Sequence, residues 1–298
     1  MSVATPNDSG KVTIFSLLEK KAKHQRITSL TAYDYASARL VDEAGIDFIL
    51  VGDSLANVML GYANTVPVTM EDMLHHTRAV RRGVTRALLI TDMPFASYHI
   101  SDAEALHNAS RMLKEGGAEA VKIEGGVKRA EMIRKVVEAE IPVMGHIGLT
   151  PQSVHVMGGY KVQGKTLSAA EQLMKDAVAL DRAGAFAIVL EGVPREVAAM
   201  ITAEVSVPTI GIGAGPDCDG QILVYHDLLG LSFNPAAKFV RHYAEVGSVI
   251  SQALAAYRKD VEAGSYPADS ESYHLPKETA AELAAIRERK GHMDRKSS

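Results

Sequence analysis

The sequence predicts an α/β fold, a single (β/α)8 TIM barrel, and three observations predict it. Short, near-continuous apolar runs recur eight times between residues 27 and 225, amphipathic segments of helical period separate them, and nearly every run ends on a polar or charged residue. Near-continuous apolar strands are those buried on both faces, as in parallel sheets covered by helices. Polar residues at the strand ends fit a barrel whose site is built at its C-terminal face.

Taken in order, residues 1–11 are small and polar and read as a disordered leader. Residues 12–23 read as a short helix docked through Phe15, Leu17 and Leu18. The expected strands are 27–31, 48–51, 87–91, 120–123, 142–145, 185–190, 208–212 and, with the weakest pattern, 222–225. Helix-period segments occupy 35–44, 70–82, 102–115, 128–139, 167–183 and 195–204. Several close on glycine, at Gly45, Gly83, Gly116 with Gly117, and Gly184, where left-handed backbone ends a helix. Ser101 followed by Glu104 has the spacing of a capping box. The competing fold is a doubly wound sheet, but its Gly-x-Gly-x-x-Gly turn is missing after the first strand, which ends Thr31-Ala32-Tyr33-Asp34.

Two connections exceed the usual roughly two to six residues, and long loops in compact domains are commonly functional. They are 54–69, after the second strand, and 148–166, after the fifth, whose glycines offer hinge points for closing over a bound substrate. Residues 235–264 read as helical, and 277–298 as a charged, exposed helix that frays. The expected organisation is a leader over 1–11, one barrel domain over 12–274 and a charged C-terminal extension over 275–298.

Composition narrows the function classes. A formal net charge of −4, with no basic stripe of interleaved aromatics, gives no electrostatic case for nucleic acid. The single cysteine, Cys218, excludes an intrachain disulfide and a cysteine-based metal cluster. No apolar run approaches the roughly 18 residues that span a bilayer, and no signal-peptide pattern opens the chain, so a cytoplasmic protein is expected.

The chemistry is expected at the strand ends. In Val121-Lys122-Ile123-Glu124 the side chains alternate, so Lys122 and Glu124 share the face opposite Val121 and Ile123 and point into what the sheet encloses. Buried charges persist only when paired, metal-bound or functional. Asp53, Asp92 and Glu124 end three successive strands, and three carboxylates without cysteine suit a hard divalent cation such as Mg²⁺. Lys122 is then a fixed positive charge for a substrate carboxylate or a developing oxyanion. A Schiff-base lysine is the rival reading, and the neighbouring carboxylates argue against it because they favour the protonated amine. Glu191, flanked by Leu190 and Val193 and across the barrel from the cation ligands, suits a general base. For His146 two readings stay open, substrate binding and packing. Tyr33 and Ser54 hold rim positions. The glycines of Gly211-Ile212-Gly213-Ala214-Gly215 would let a bulky second substrate approach closely.

Six motifs carry a specific resemblance. Thr31-Ala32-Tyr33-Asp34-Tyr35, Val51-Gly52-Asp53-Ser54-Leu55, Val121-Lys122-Ile123-Glu124-Gly125-Gly126, Gly145-His146-Ile147-Gly148-Leu149-Thr150-Pro151-Gln152-Ser153, Gly158-Gly159-Tyr160-Lys161-Val162-Gln163-Gly164 and Gly211-Ile212-Gly213-Ala214-Gly215 occur in order. Together they resemble the ketopantoate (3-methyl-2-oxobutanoate) hydroxymethyltransferase family over about residues 12–274. The resemblance implies a barrel of the phosphoenolpyruvate/pyruvate superfamily and transfer of a one-carbon unit from 5,10-methylenetetrahydrofolate to 3-methyl-2-oxobutanoate, giving 2-dehydropantoate for pantothenate biosynthesis. It implies Mg²⁺ on Asp53, Asp92 and Glu124, oxoacid contacts from Asp53, Ser54, Asp92 and Lys122, Glu191 as proton acceptor, and a homodecamer. Residues 276–298 run past the usual end of the family. The alternative is a carbon–carbon lyase of the same superfamily acting on a 2-oxo or 2-hydroxy acid. Such lyases carry a cysteine in a strand-end loop, whereas Cys218 follows strand seven.

Overall fold

The computed structural model describes residues 10–233 and 235–294, which fall into two compact units, one ending at Glu245 and the other beginning at Val246. The expected leader lies mostly outside the described residues. Its last residue, Lys11, donates to Glu119 at 2.6 Å.

In the first unit, helix α1 (Ile14–Ala22) precedes strand β1 (Ile27–Thr31), and then helices and strands alternate. The order is α2 (Tyr35–Glu43), β2 (Phe48–Val51), α3 (Leu55–Val58), α4 (Met70–Gly83), β3 (Leu88–Asp92), α5 (Asp102–Lys114), β4 (Ala120–Glu124), α6 (Val127–Glu138) and β5 (Val143–Gly148). There follow α7 (Val154–Met157), α8 (Leu167–Arg182), β6 (Ala187–Glu191), α9 (Arg195–Glu204), β7 (Thr209–Ile212), β8 (Gly220–Leu223) and α10 (Tyr225–Leu228). All eight strands pair in parallel and in sequence order, and β8 closes on β1. This is the predicted (β/α)8 barrel.

The period-two alternation of each strand divides the core in two. Outward residues such as Ile49, Val51, Leu89, Val121, Ile123, Val143 and Ile188 pack with Val80, Ala109, Val136 and Leu180 of the surrounding helices. Inward residues, among them Phe48, Leu50, Leu88, Ile90, Met144, Val189 and Ile210, fill the barrel. Leu17 joins this inner cluster beside residues at the starts of the strands, so α1 plugs the N-terminal mouth. Thr13 caps that helix through a reciprocal bond pair with Ser16. Phe15, expected to dock α1, is instead 73% exposed, because the helix buries one narrow stripe and Leu17 occupies it.

Other departures are local. β5 runs to Gly148 and β3, β4 and β6 run to their acidic residues, so Asp92, Glu124, His146 and Glu191 are strand residues, not loop residues. Ser101 caps α5 by accepting from the Glu104 N–H, without the return bond of a full capping box. Residues 213–219 link β7 to β8 without a helix. Of the expected helix over 235–264, only α11 (Val246–Glu262) forms. The stretch before it spends its backbone elsewhere: Tyr243 N–H donates to Leu228 O at 2.9 Å.

The second unit holds α11 and α12 (Lys277–Asp294). Val249, Ile250, Leu254, Tyr257 and Val261 of α11 are exposed. Among the described residues, no helix is long and apolar enough to cross a membrane.

Candidate active site

The strand register sets the site. Asp92 on β3 pairs with Lys122 on β4, and Glu124 one pleat further pairs with His146 on β5. Gly148 pairs with Glu191 on β6. All these side chains point inward at the C-terminal end, where Asp53 and Ser54 enter from the turn after β2. Asp53, Ser54, Asp92, Lys122, Glu124, His146 and Glu191 line one cavity of about 100 Å³. Its remaining wall includes Leu50, Val189, Ile212 and Ile222. Tyr33 stands behind this lining, its hydroxyl 2.8 Å from Ser54 Oγ.

The charged groups form one network. Lys122 Nζ lies 2.8 Å from Asp92 Oδ1 and 3.3 Å from His146 Nδ1. Asp92 Oδ2 accepts from the Asp53 N–H at 2.9 Å. His146 faces Glu124 Oε1 at 3.4 Å and Glu191 Oε2 at 3.3 Å, within ion-pair reach but without hydrogen-bond alignment at Nε2. Except for Glu191, these groups are almost completely buried.

Burial and crowding move their titrations. Burial pushes the Asp53 carboxyl well above the usual range, and Asp92 and Glu124 push it further. Asp92 is also raised by burial, although Lys122 and the Asp53 N–H pull it down. Burial disfavours the Lys122 ammonium, but Asp92, Glu124 and Asp53 outweigh it and hold the proton more tightly than in free lysine. For His146, burial and Lys122 both favour the neutral ring, yet Glu124 and Glu191 prevail and raise it to about 9.

A divalent cation fits these residues. Glu124 Oε1 is buried without an aligned hydrogen-bond donor, Asp92 Oδ1 meets the Lys122 ammonium, and repulsion among the three carboxylates adds to burial in raising the two aspartates. Hard carboxylate oxygens with room for water and substrate suit Mg²⁺. Among the described residues no three His, Cys, Asp or Glu side chains converge as a finished cage. That agrees with the ammonium of Lys122 lying against Asp92. Asp53, Asp92 and Glu124 could hold the ion, with substrate completing its shell.

Sequence reasoning missed Gln152. Its Nε2 donates to Asp53 Oδ2 and to Met93 O, both at 2.9 Å, and its backbone N–H donates to Glu124 Oε2 at 3.1 Å. Tyr98 O–H donates to Gln152 Oε1 at 2.6 Å. Its sequence signals were a place at the start of a long loop and within the motif ending Pro151-Gln152-Ser153, and neither gave it a role. A Cβ at Gly213 would stand 2.5 Å from the Phe239 ring and one at Gly215 2.4 Å from Arg195 Cβ, so packing requires their smallness.

With this geometry in place, comparison with known proteins is decisive. The sequence profile of ketopantoate hydroxymethyltransferase matches residues 11–269. The chain belongs to that family. A 3-methyl-2-oxobutanoate hydroxymethyltransferase of Koribacter versatilis is 67% identical over 293 residues, covering 98% of this chain and 99% of the relative. Its counterpart in Pelobacter propionicus is 57% identical over 264 residues, 89% of this chain and 98% of the relative. Among solved structures, phosphonopyruvate hydrolase in complex with oxalate and Mg²⁺ superposes with a TM-score of 0.58 at 13% identity, covering 93% of this chain and 97% of that one. A 2,3-dimethylmalate lyase superposes at 0.56 with 18% identity, covering 96% and 98%. Those structures establish the fold alone. Membership of the ketopantoate hydroxymethyltransferase family makes the protein an enzyme of one-carbon transfer.

Proposed function

We propose that this enzyme transfers a hydroxymethyl group from 5,10-methylenetetrahydrofolate to 3-methyl-2-oxobutanoate, giving 2-dehydropantoate. The observation that carries the reading is the pairing, within one small cavity, of Glu191 on one side with Lys122, Asp92 and Asp53 on the other, above an apolar wall. A short branched oxoacid matches that lining: its carboxylate and ketone oxygens meet the charged side, and its isopropyl group meets Leu50, Val189 and Ile222. A volume of about 100 Å³ is well below the roughly 300–1,000 Å³ of sites for drug-sized ligands, so the folate co-substrate must reach in from the mouth.

In this reading Asp53, Asp92 and Glu124 would hold Mg²⁺, which when bound would supply Lewis-acid polarisation of the substrate's ketone. Lys122 and Ser54 bind and orient the oxoacid. Glu191, the least buried of the carboxylates, takes the proton from C3. The electron pair left behind moves toward the ketone oxygen, where Lys122 meets the developing charge. His146 contacts Glu124 and Glu191, bridging the cation side to the base, and as part of the cavity lining it also meets the oxoacid. C3 then attacks the one-carbon unit; the carbon–carbon bond forms as the carbon's bonds to the folate nitrogens break, tetrahydrofolate leaves, and one water supplies the hydroxyl oxygen of the hydroxymethyl product.

Incubation with the oxoacid, methylenetetrahydrofolate and Mg²⁺ tests the whole reading. Product should form only with all three and stop when chelator is added. Cleavage of a 2-hydroxy or 2-oxo acid without folate would favour the lyase alternative. The same reading includes a cytoplasmic homodecamer, which sedimentation of the purified enzyme would test.

A further inference from the structure

Gln152 makes more contacts with the charged cluster than its loop position requires. Four hydrogen bonds converge on one residue, and each fixes a different neighbour. Tyr98 O–H can only donate in its contact with Gln152 while the Gln152 amide N–H₂ faces two acceptors, so Oε1 must face the tyrosine and Nε2 must face Asp53. The amide therefore has one allowed orientation. Met93 O, at the end of β3, is a second anchor for the same nitrogen. Both Gln152 and Tyr98 are buried, so neither contact is diluted by solvent. The two bonds to carboxylates are charge-assisted and fasten Asp53, after β2, to Glu124, on β4, from a third element.

We propose that Gln152 is a positioning residue for the divalent cation. It holds Asp53 and Glu124 at a set separation and joins their geometry to the connection after β5. The proposal rests on the reading above, in which these carboxylates bind Mg²⁺. Outer-shell groups that orient ligating carboxylates typically contribute about 10- to 100-fold to metal affinity. The backbone bond to Glu124 survives any side-chain change, so the effect of a substitution reports on Asp53.

The test is Mn²⁺ binding to the chelator-stripped enzyme, read from the free Mn²⁺ signal by electron paramagnetic resonance. Gln152→Met keeps the volume and removes the amide. Tyr98→Phe keeps the amide and removes its lock. The expected result is Mn²⁺ affinity weakened about 10- to 100-fold in Gln152→Met and less in Tyr98→Phe. The Mg²⁺ midpoint for C3 proton exchange should rise in parallel, with the rate recovering at saturating Mg²⁺. A merely structural residue would not give that recovery. If Gln152→Met misfolds, Tyr98→Phe carries the test with the same expected direction. Asp53→Asn separates the two ideas. If it abolishes Mn²⁺ binding while Gln152→Met and Tyr98→Phe stay within about twofold of wild type, the Gln152 proposal is overturned and the cation reading stands. If Asp53→Asn binds Mn²⁺ normally, the cation reading itself falls.

Discussion

Lys122 and Asp92 stand opposite each other in the register of β3 and β4, with Nζ 2.8 Å from Oδ1 and both side chains within 5% of complete burial. Breaking a buried pair from one side costs about 3–5 kcal/mol, because the remaining charge is left uncompensated. Lys122→Met leaves Asp92 beside Asp53 and Glu124 with no ammonium. Urea unfolding in chelator should show a loss of that order, with part of it regained when Mg²⁺ is added. An unchanged midpoint in chelator would mean that the pair does not contribute to the fold.

The site trades stability for charge. Asp53 is raised by burial, by Asp92 and by Glu124, so its ionised form is disfavoured in the folded, cation-free protein. Asp53→Asn removes that repulsion while keeping the shape, and it should raise cation-free stability. It should also remove the stabilisation that Mg²⁺ gives the wild type. Thermal unfolding with and without Mg²⁺ measures both.

His146 gives a pH dependence of definite sign. Its ring titrates at about 9 in the fold against 6.5 for a free histidine. The protonated form thus contributes stability that is fully present below 6.5 and is lost as pH rises through 9. The contribution is on the order of 3 kcal/mol. The stability difference between wild type and His146→Gln should therefore shrink from pH 6 toward pH 10. A difference that stays flat, or grows, would show that the ring is neutral and that burial and Lys122 together outweigh the two carboxylates.

The barrel was legible because its causes are local and periodic. Alternation in Val121-Lys122-Ile123-Glu124 sends one pair to the helices and the other inward, and that division is what the structure shows. The same alternation brought Asp92, Lys122, Glu124, His146 and Glu191 to one cavity, which Asp53 enters from the turn after β2. Strand ends were less legible, since the pleat of β5 continues through His146 to Gly148 where the sequence breaks to glycine. Gln152 left no periodic trace, because it acts on Asp53 from 99 residues away and through a loop. The packing of Phe239 over Gly213 was illegible for a similar reason, since the two are 26 residues apart in the chain.

The central claim is that Glu191 is the base of a cavity whose other side holds the cation and Lys122. It is tested most directly by following deuterium exchange at C3 of 3-methyl-2-oxobutanoate by proton NMR, in D₂O with Mg²⁺ and without folate. Wild type should exchange. Glu191→Gln should lose about 10²- to 10⁴-fold in rate while still binding the oxoacid. Exchange by Glu191→Gln at the wild-type rate would contradict the assignment.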